Sequence, residues 1–181
     1  GVTLNIDSKK ALNTVVGHEI THVLEGTEFY DALQDTIFEY AKTKGEYKQR
    51  LYDARQLYKD VEGYKGVDGF NKVKKEVVSD LVGEYLFDDP DFIANLSTKN
   101  RNVFEKLFDE IKYLCKVVTA GSKEARELEK VKRAFEKAYR ESGKASGDTK
   151  YSLSKDIDGN VFVDVTEDIF DENNGERIAR T

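Results

Sequence analysis

At 181 residues the chain is long enough for one domain, or for one domain and an appendage. Its net charge of -6 argues against nonspecific nucleic-acid binding by the domain as a whole, and no apolar run approaches the length needed to cross a bilayer. A hydrophobic content of 39% against 35% charged residues leaves material for only a modest core.

Val2-Thr3-Leu4-Asn5-Ile6 alternates and is β-branched, which predicts a short N-terminal strand. Asp7 or Ser8 then caps a helix running to about Glu25, with Leu12, Val15, Val16, Ile20, Val23 and Leu24 on its apolar side and Gly26 as its stop. Further helices are predicted over 28–43 and 46–62. A glycine-marked turn at Gly63, Gly66 and Gly69 follows, and then a helix over 70–87. Asp88-Asp89-Pro90 ends that helix, because the residue before proline disfavours the helical region. Two more helices are expected near 99–119 and 123–141, the second a charged surface helix.

Residues 143–150 read as a polar linker, and 151–155 with 160–165 as a β-hairpin turning at Asp158-Gly159. The tail from 171 is polar. The fold class is thus mainly α, of the α+β kind. A helical core at 1–142 carries the N-terminal strand, and the hairpin appendage with its tail occupies 151–181. The chain opens on Gly1 and contains no methionine, so a piece of a larger multidomain protein is expected. Cys115 cannot form an internal disulfide and lies in an apolar helical stretch, as a core thiol would. That implies a reducing compartment or no redox constraint.

Both histidines fall in one stretch, His18-Glu19-Ile20-Thr21-His22. On a helix, residues four apart share a face, so two imidazoles can bind one Zn²⁺ while the carboxylate after the first reaches the water beside it. The plain alternative is a pair of solvent-facing histidines on an amphipathic helix. A catalytic zinc needs a third protein ligand, and with no other histidine and one cysteine that ligand is a carboxylate. Glu76 in Glu76-Val77-Val78-Ser79-Asp80-Leu81-Val82-Gly83 is the best candidate, with Glu25, Glu28 and Glu84 as rivals. Asp80 lies four residues on and shares the Glu76 face, where it can accept a hydrogen bond from a ligating histidine's free ring nitrogen. Without a metal, Glu76 and Asp80 read as a polar helix face with ion pairs to Lys72 or Lys75.

HEITH followed by EVVSDLVG resembles the gluzincin zinc peptidases, the thermolysin-like group with HExxH on one helix and ExxxD on a later one. With the YSLSKD segment, the chain more narrowly resembles zincin-like metallopeptidase modules of large polyvalent proteins from phages and mobile elements. The resemblance implies a zincin-like core with His18, His22 and Glu76 as zinc ligands, Glu19 as general base and Asp80 as the carboxylate behind the ligands. It implies hydrolysis of a peptide or protein substrate, in a bacterial cytoplasm or a phage particle. The chain departs from the pattern in two ways. No histidine remains to stabilise the oxyanion, which leaves that task to a tyrosine, with Tyr64 and Tyr85 near the motif. A single strand is also thin support for an extended substrate. The competing expectation is a zincin-derived scaffold that binds partners without catalysis.

Overall fold

Apolar residues recurring every three to four positions need partners for their buried stripes, and here helices supply all of them. The computed structural model describes residues 9–146, with side chains from 11 to 142. The described residues form seven helices: α1 (Lys9–Leu24), α2 (Phe29–Thr43), α3 (Tyr47–Tyr58), α4 (Gly66–Asp88), α5 (Pro90–Lys99), α6 (Arg101–Val117) and α7 (Lys123–Ser146). None is long and apolar enough to cross a membrane. No strand occurs among the described residues. The strand expected at 2–6, the hairpin at 151–165 and the tail beyond it lie outside them. The chain divides into two compact units, Gly1–Ala138 and Tyr139–Thr181, and the first contains α1 to α6 and most of α7.

The central element is α4, which touches α1, α2, α3 and α5. Its Val77, Val78, Leu81 and Val82 are buried together with Leu12, Val16, Ile20 and Leu24 of α1. Each such side chain contributes about 1.5–3 kcal/mol relative to exposure. The two helices run antiparallel and very close. A Cβ added at Gly17 would run into the Ser79 carbonyl oxygen, and one at Gly83 into the Asn13 carbonyl oxygen. Two glycines facing each other across the seam therefore let the backbones meet. Asn13 adds a hydrogen bond across it, its Nδ2 donating to Asp88 Oδ2 at 2.9 Å.

Two boundaries differ from expectation. The fourth helix begins at Gly66 rather than near 70, with Gly69 inside it and pressed against the Tyr64 backbone. The segment between Asp89 and the helix expected near 99, for which no element is predicted, forms α5. Asp89 Oδ1 accepts from the Asp91 N–H at 3.1 Å, and Pro90 occupies the first turn, where its missing N–H costs nothing. Asn100 repeats the device for α6, its Oδ1 accepting from the Val103 N–H at 3.1 Å. The last helix, α7, buries Leu128, Val131 and Phe135, and it continues to Ser146, into the 143–150 stretch. Phe135 stacks on Phe108 with 5.3 Å between ring centroids, which ties α7 to α6.

Candidate metal centre

On α1 the buried positions Leu12, Asn13, Val16, Gly17, Ile20, Thr21 and Leu24 form one continuous side, and the opposite arc carries His18 and His22. Ile20 and Thr21, the two residues inside HEITH, are thus what anchors the motif to the core. Because α4 runs antiparallel along the edge of that arc, its Glu76-to-Asp80 turn comes level with His18. His18 Nε2 lies 3.3 Å from Asp80 Oδ1 and 3.8 Å from Glu76 Oε1. The first contact is a hydrogen bond in the tautomer that carries the Nε2 proton.

The structure therefore brings His18, Glu76 and Asp80 together. Both carboxylates face the same ring nitrogen, so Asp80 approaches Nε2 rather than the opposite side of the ring. His22 stands apart: its side chain is 83% exposed, and its Nδ1 lies 3.8 Å from Glu25 Oε1. Glu25 in turn pairs with Lys75 at 2.8 Å. Among the described residues, no group of three His, Cys, Asp or Glu side chains is placed to hold a metal ion. Glu19 borders a shallow open depression of about 410 Å³ with Thr14, Val15 and His18. Its charge also reaches Glu110 of α6, a carboxyl whose pKa is raised first by burial and further by Asp109 and Glu19, against the pull of Lys106.

The rival carboxylates have other environments. Glu84 is held by Arg50 through two hydrogen bonds, at 2.8 Å from Nη1 and 2.7 Å from Nη2. Glu28 is exposed just before α2, and Glu25 belongs to the Lys75 pair. The two tyrosines singled out from the sequence also sit elsewhere. Tyr85 is buried and donates to Glu46 Oε1 at 2.8 Å, while Tyr64 stacks on Tyr58 with ring centroids 4.5 Å apart. Tyr58 is the tyrosine near enough to the centre to feel the charges of Glu76 and Asp80. Burial raises its pKa, followed by the charges of Glu76 and Asp80, so the phenol stays protonated. Nothing local in the sequence marks Tyr58 for this place, because α3 must first fold back along α4. Cys115 is half-buried, and its thiol pKa is raised chiefly by burial, which keeps it unreactive.

A zinc ion with bonds near 2.0–2.2 Å in tetrahedral geometry separates two of its donor atoms by about 3.3 Å. The His18–Asp80 separation of 3.3 Å matches that spacing, and the His18–Glu76 separation of 3.8 Å is longer than it. The donor set of imidazoles and carboxylates also suits zinc. His22 shares the helix face with His18 and must turn about its side-chain torsions to join. An exposed side chain makes such turns in picoseconds to nanoseconds. Comparisons with protein-family models, with curated proteins and with solved structures find no match to this chain.

Proposed function

We propose that the chain is a zinc-dependent metallopeptidase module in which His18, His22 and Glu76 hold the metal and Glu19 is the general base. One observation carries the reading. The first histidine of an HExxH helix meets Glu76 and Asp80, which come from a distant segment in ExxxD spacing, across a seam that two glycines keep unusually close. A plain surface pair of histidines requires no such meeting. When bound, zinc supplies Lewis acidity toward the scissile carbonyl and toward the attacking water. Glu19, beside His18 on an open depression, accepts the proton of the attacking water and passes it to the leaving amine nitrogen. Asp80 lies against the same Nε2 that faces Glu76, so the proton it holds there must leave before that nitrogen can ligate, and a role behind the ligands requires the His18 ring to turn Nδ1 toward it.

The substrate is a peptide or protein chain, and the module belongs to a larger multidomain protein of the phage or mobile-element kind. The competing reading is a zincin-derived binding scaffold with little or no catalysis. It is favoured by the outward position of His22 and its pairing with Glu25.

The test is a peptide-library digest with zinc-loaded protein. Cleavage is expected to stop on chelation, and to fall about 10²–10⁴-fold in Glu19→Gln while zinc stoichiometry stays at one. Undiminished turnover in metal-loaded Glu19→Gln would remove this mechanism, and absence of any cleavage by the zinc-loaded protein would favour the scaffold.

A further inference from the structure

In sequence α7 mixes charges of both signs, and the fold sorts them. Between Lys123 and Ala138 the exposed residues are Lys123, Arg126, Lys130, Arg133 and Lys137. Every one is basic. Their spacing alternates between three and four, which keeps them in a single row along the helix. At 1.5 Å per residue the row is about 21 Å long.

The apolar side of the helix explains why this row faces solvent. Leu128, Val131, Phe135 and Ala138 are buried, with Phe135 held against Phe104 and Phe108 of α6. The glutamates Glu124, Glu127, Glu129 and Glu136 are half-buried and lie off the row. Lys130 pairs with Glu127 at 3.2 Å, and Arg126 Nη1 donates to the Gly121 carbonyl oxygen at 3.0 Å. Lys123, Arg133 and Lys137 form no ion pair among the described residues. The negative charge of the whole chain does not oppose an anionic partner at this face. Residues 147–181 hold nine acidic and four basic side chains, and so account for five of the six net negative charges.

The chemistry of the row narrows the partner. A protein interface draws most of its affinity from a few large anchors, chiefly aromatic side chains seated in pockets. A helix on a membrane surface inserts its apolar face, and a single-stranded nucleic acid stacks its bases on aromatic rings. Over these residues α7 exposes neither apolar nor aromatic side chains, because its apolar side is spent on α6. A bare row of cations matches a regular line of anions. Each strand of a duplex presents a phosphate every 3.4 Å or so of axis, about six over the length of this row.

We propose that the outer face of α7 binds the phosphate backbone of a nucleic-acid duplex. The contacts are to phosphate, so binding is independent of base sequence, releases counterions and weakens steeply as salt rises. Nothing in this binding depends on a metal at His18.

The experiment follows the fluorescence anisotropy of a labelled mixed-sequence duplex of about 30 base pairs, titrated with the full chain between about 25 and 200 mM salt. One arm uses DNA and the other RNA, and the tighter of the two identifies the source of the phosphates. Micromolar binding is expected at the lowest salt, with log K falling against log salt at a slope of about -3 to -4.5. Arg133→Gln with Lys137→Gln should weaken binding about tenfold or more and reduce the slope by about 2, with far-UV circular dichroism unchanged. Arg133→Lys with Lys137→Arg keeps both charges and should bind as wild type does. Lys48→Gln with Lys59→Gln removes equal charge from α3 and its C-cap, and should also leave binding unchanged. Equal loss in the α3 and α7 neutral variants, or loss in neither, overturns the proposal, as does the absence of duplex binding at the lowest salt. Tighter binding to phosphatidylserine vesicles or to polyglutamate than to either duplex also overturns it, and identifies a membrane or an acidic protein as the partner.

Discussion

Gly17 sets how near the two halves of the candidate centre can come. Replacing it with alanine improves helix propensity by about 1 kcal/mol. The added methyl, however, meets the Ser79 carbonyl oxygen and the Gly83 backbone, neither of which can swing aside as a side-chain tip can. Overpacking against fixed atoms costs about 1–3 kcal/mol or more, so the clash outweighs the propensity. Gly17→Ala is therefore expected to unfold at a clearly lower temperature than wild type in a circular-dichroism melt. A variant that melts at or above the wild-type midpoint would show that the seam has slack. The same residue explains why His18 meets Asp80 at 3.3 Å: the imidazole is carried on a helix whose next position inward has no side chain.

Among the elements, α5 shows most clearly how a local signal can be read two ways. Asp88-Asp89-Pro90 is a stop for the preceding helix, because proline restricts the residue before it, and equally a start for the next, because proline suits the first turn. Both hold here, with Asp89 serving as the end of α4 and the cap of α5. Asp89 also accepts from the Tyr40 hydroxyl at 2.9 Å and pairs with Lys44 at 3.0 Å. Burial alone would raise its pKa. The hydrogen bonds from Lys44, Tyr40 and the Asp91 N–H, with the Lys44 charge, outweigh burial and hold the carboxyl below its ordinary value.

A carboxylate with a depressed folded pKa adds stability that is present above its unfolded pKa, near 3.9, and is lost as pH falls through the folded value. Asp89→Ala should thus cost about 1–2 kcal/mol at pH 7, the loss of a cap and a charged hydrogen bond. The gap from wild type should narrow at pH 3, as measured by urea unfolding at both values. An equal gap at the two pH values would show that the carboxylate charge contributes nothing.

For the whole molecule, a ligand that binds the folded chain and not the unfolded one must stabilise it. The centre draws His18 from α1 and Glu76 from α4, and an unfolded chain scarcely brings them together. Free zinc at about 100 times its dissociation constant should add about 2.7 kcal/mol to unfolding stability, and chelation should remove it. His18→Ala should abolish the increment, as followed by thermal melts with and without metal. A zinc-induced rise that survives in His18→Ala would place the metal elsewhere.

Much of the helical architecture was legible in the chain because it rests on near neighbours. The apolar spacing of Leu12, Val16, Ile20 and Leu24, the stop at Gly26 and the paired carboxylates of Glu76 and Asp80 are all properties of single helices, although Val15 and Val23, expected on the same apolar side, are exposed. The helix over 28–43 lies within a residue of α2 for the same reason. What such patterns cannot contain is the meeting of segments far apart. The outward side chain of His22, the approach of both carboxylates to one nitrogen of His18 and the arrival of Tyr58 rather than Tyr64 or Tyr85 depend on how α1, α3 and α4 lie against each other. By itself the sequence determined which faces of which helices carry the histidines and the paired carboxylates, since a helix repeats every 3.6 residues wherever it sits. Only the tertiary structure decided which of those residues meet, because two glycines let one helix pair close and the hydrogen bonds of Arg50 to Glu84 and of Tyr85 to Glu46 hold a third helix alongside it.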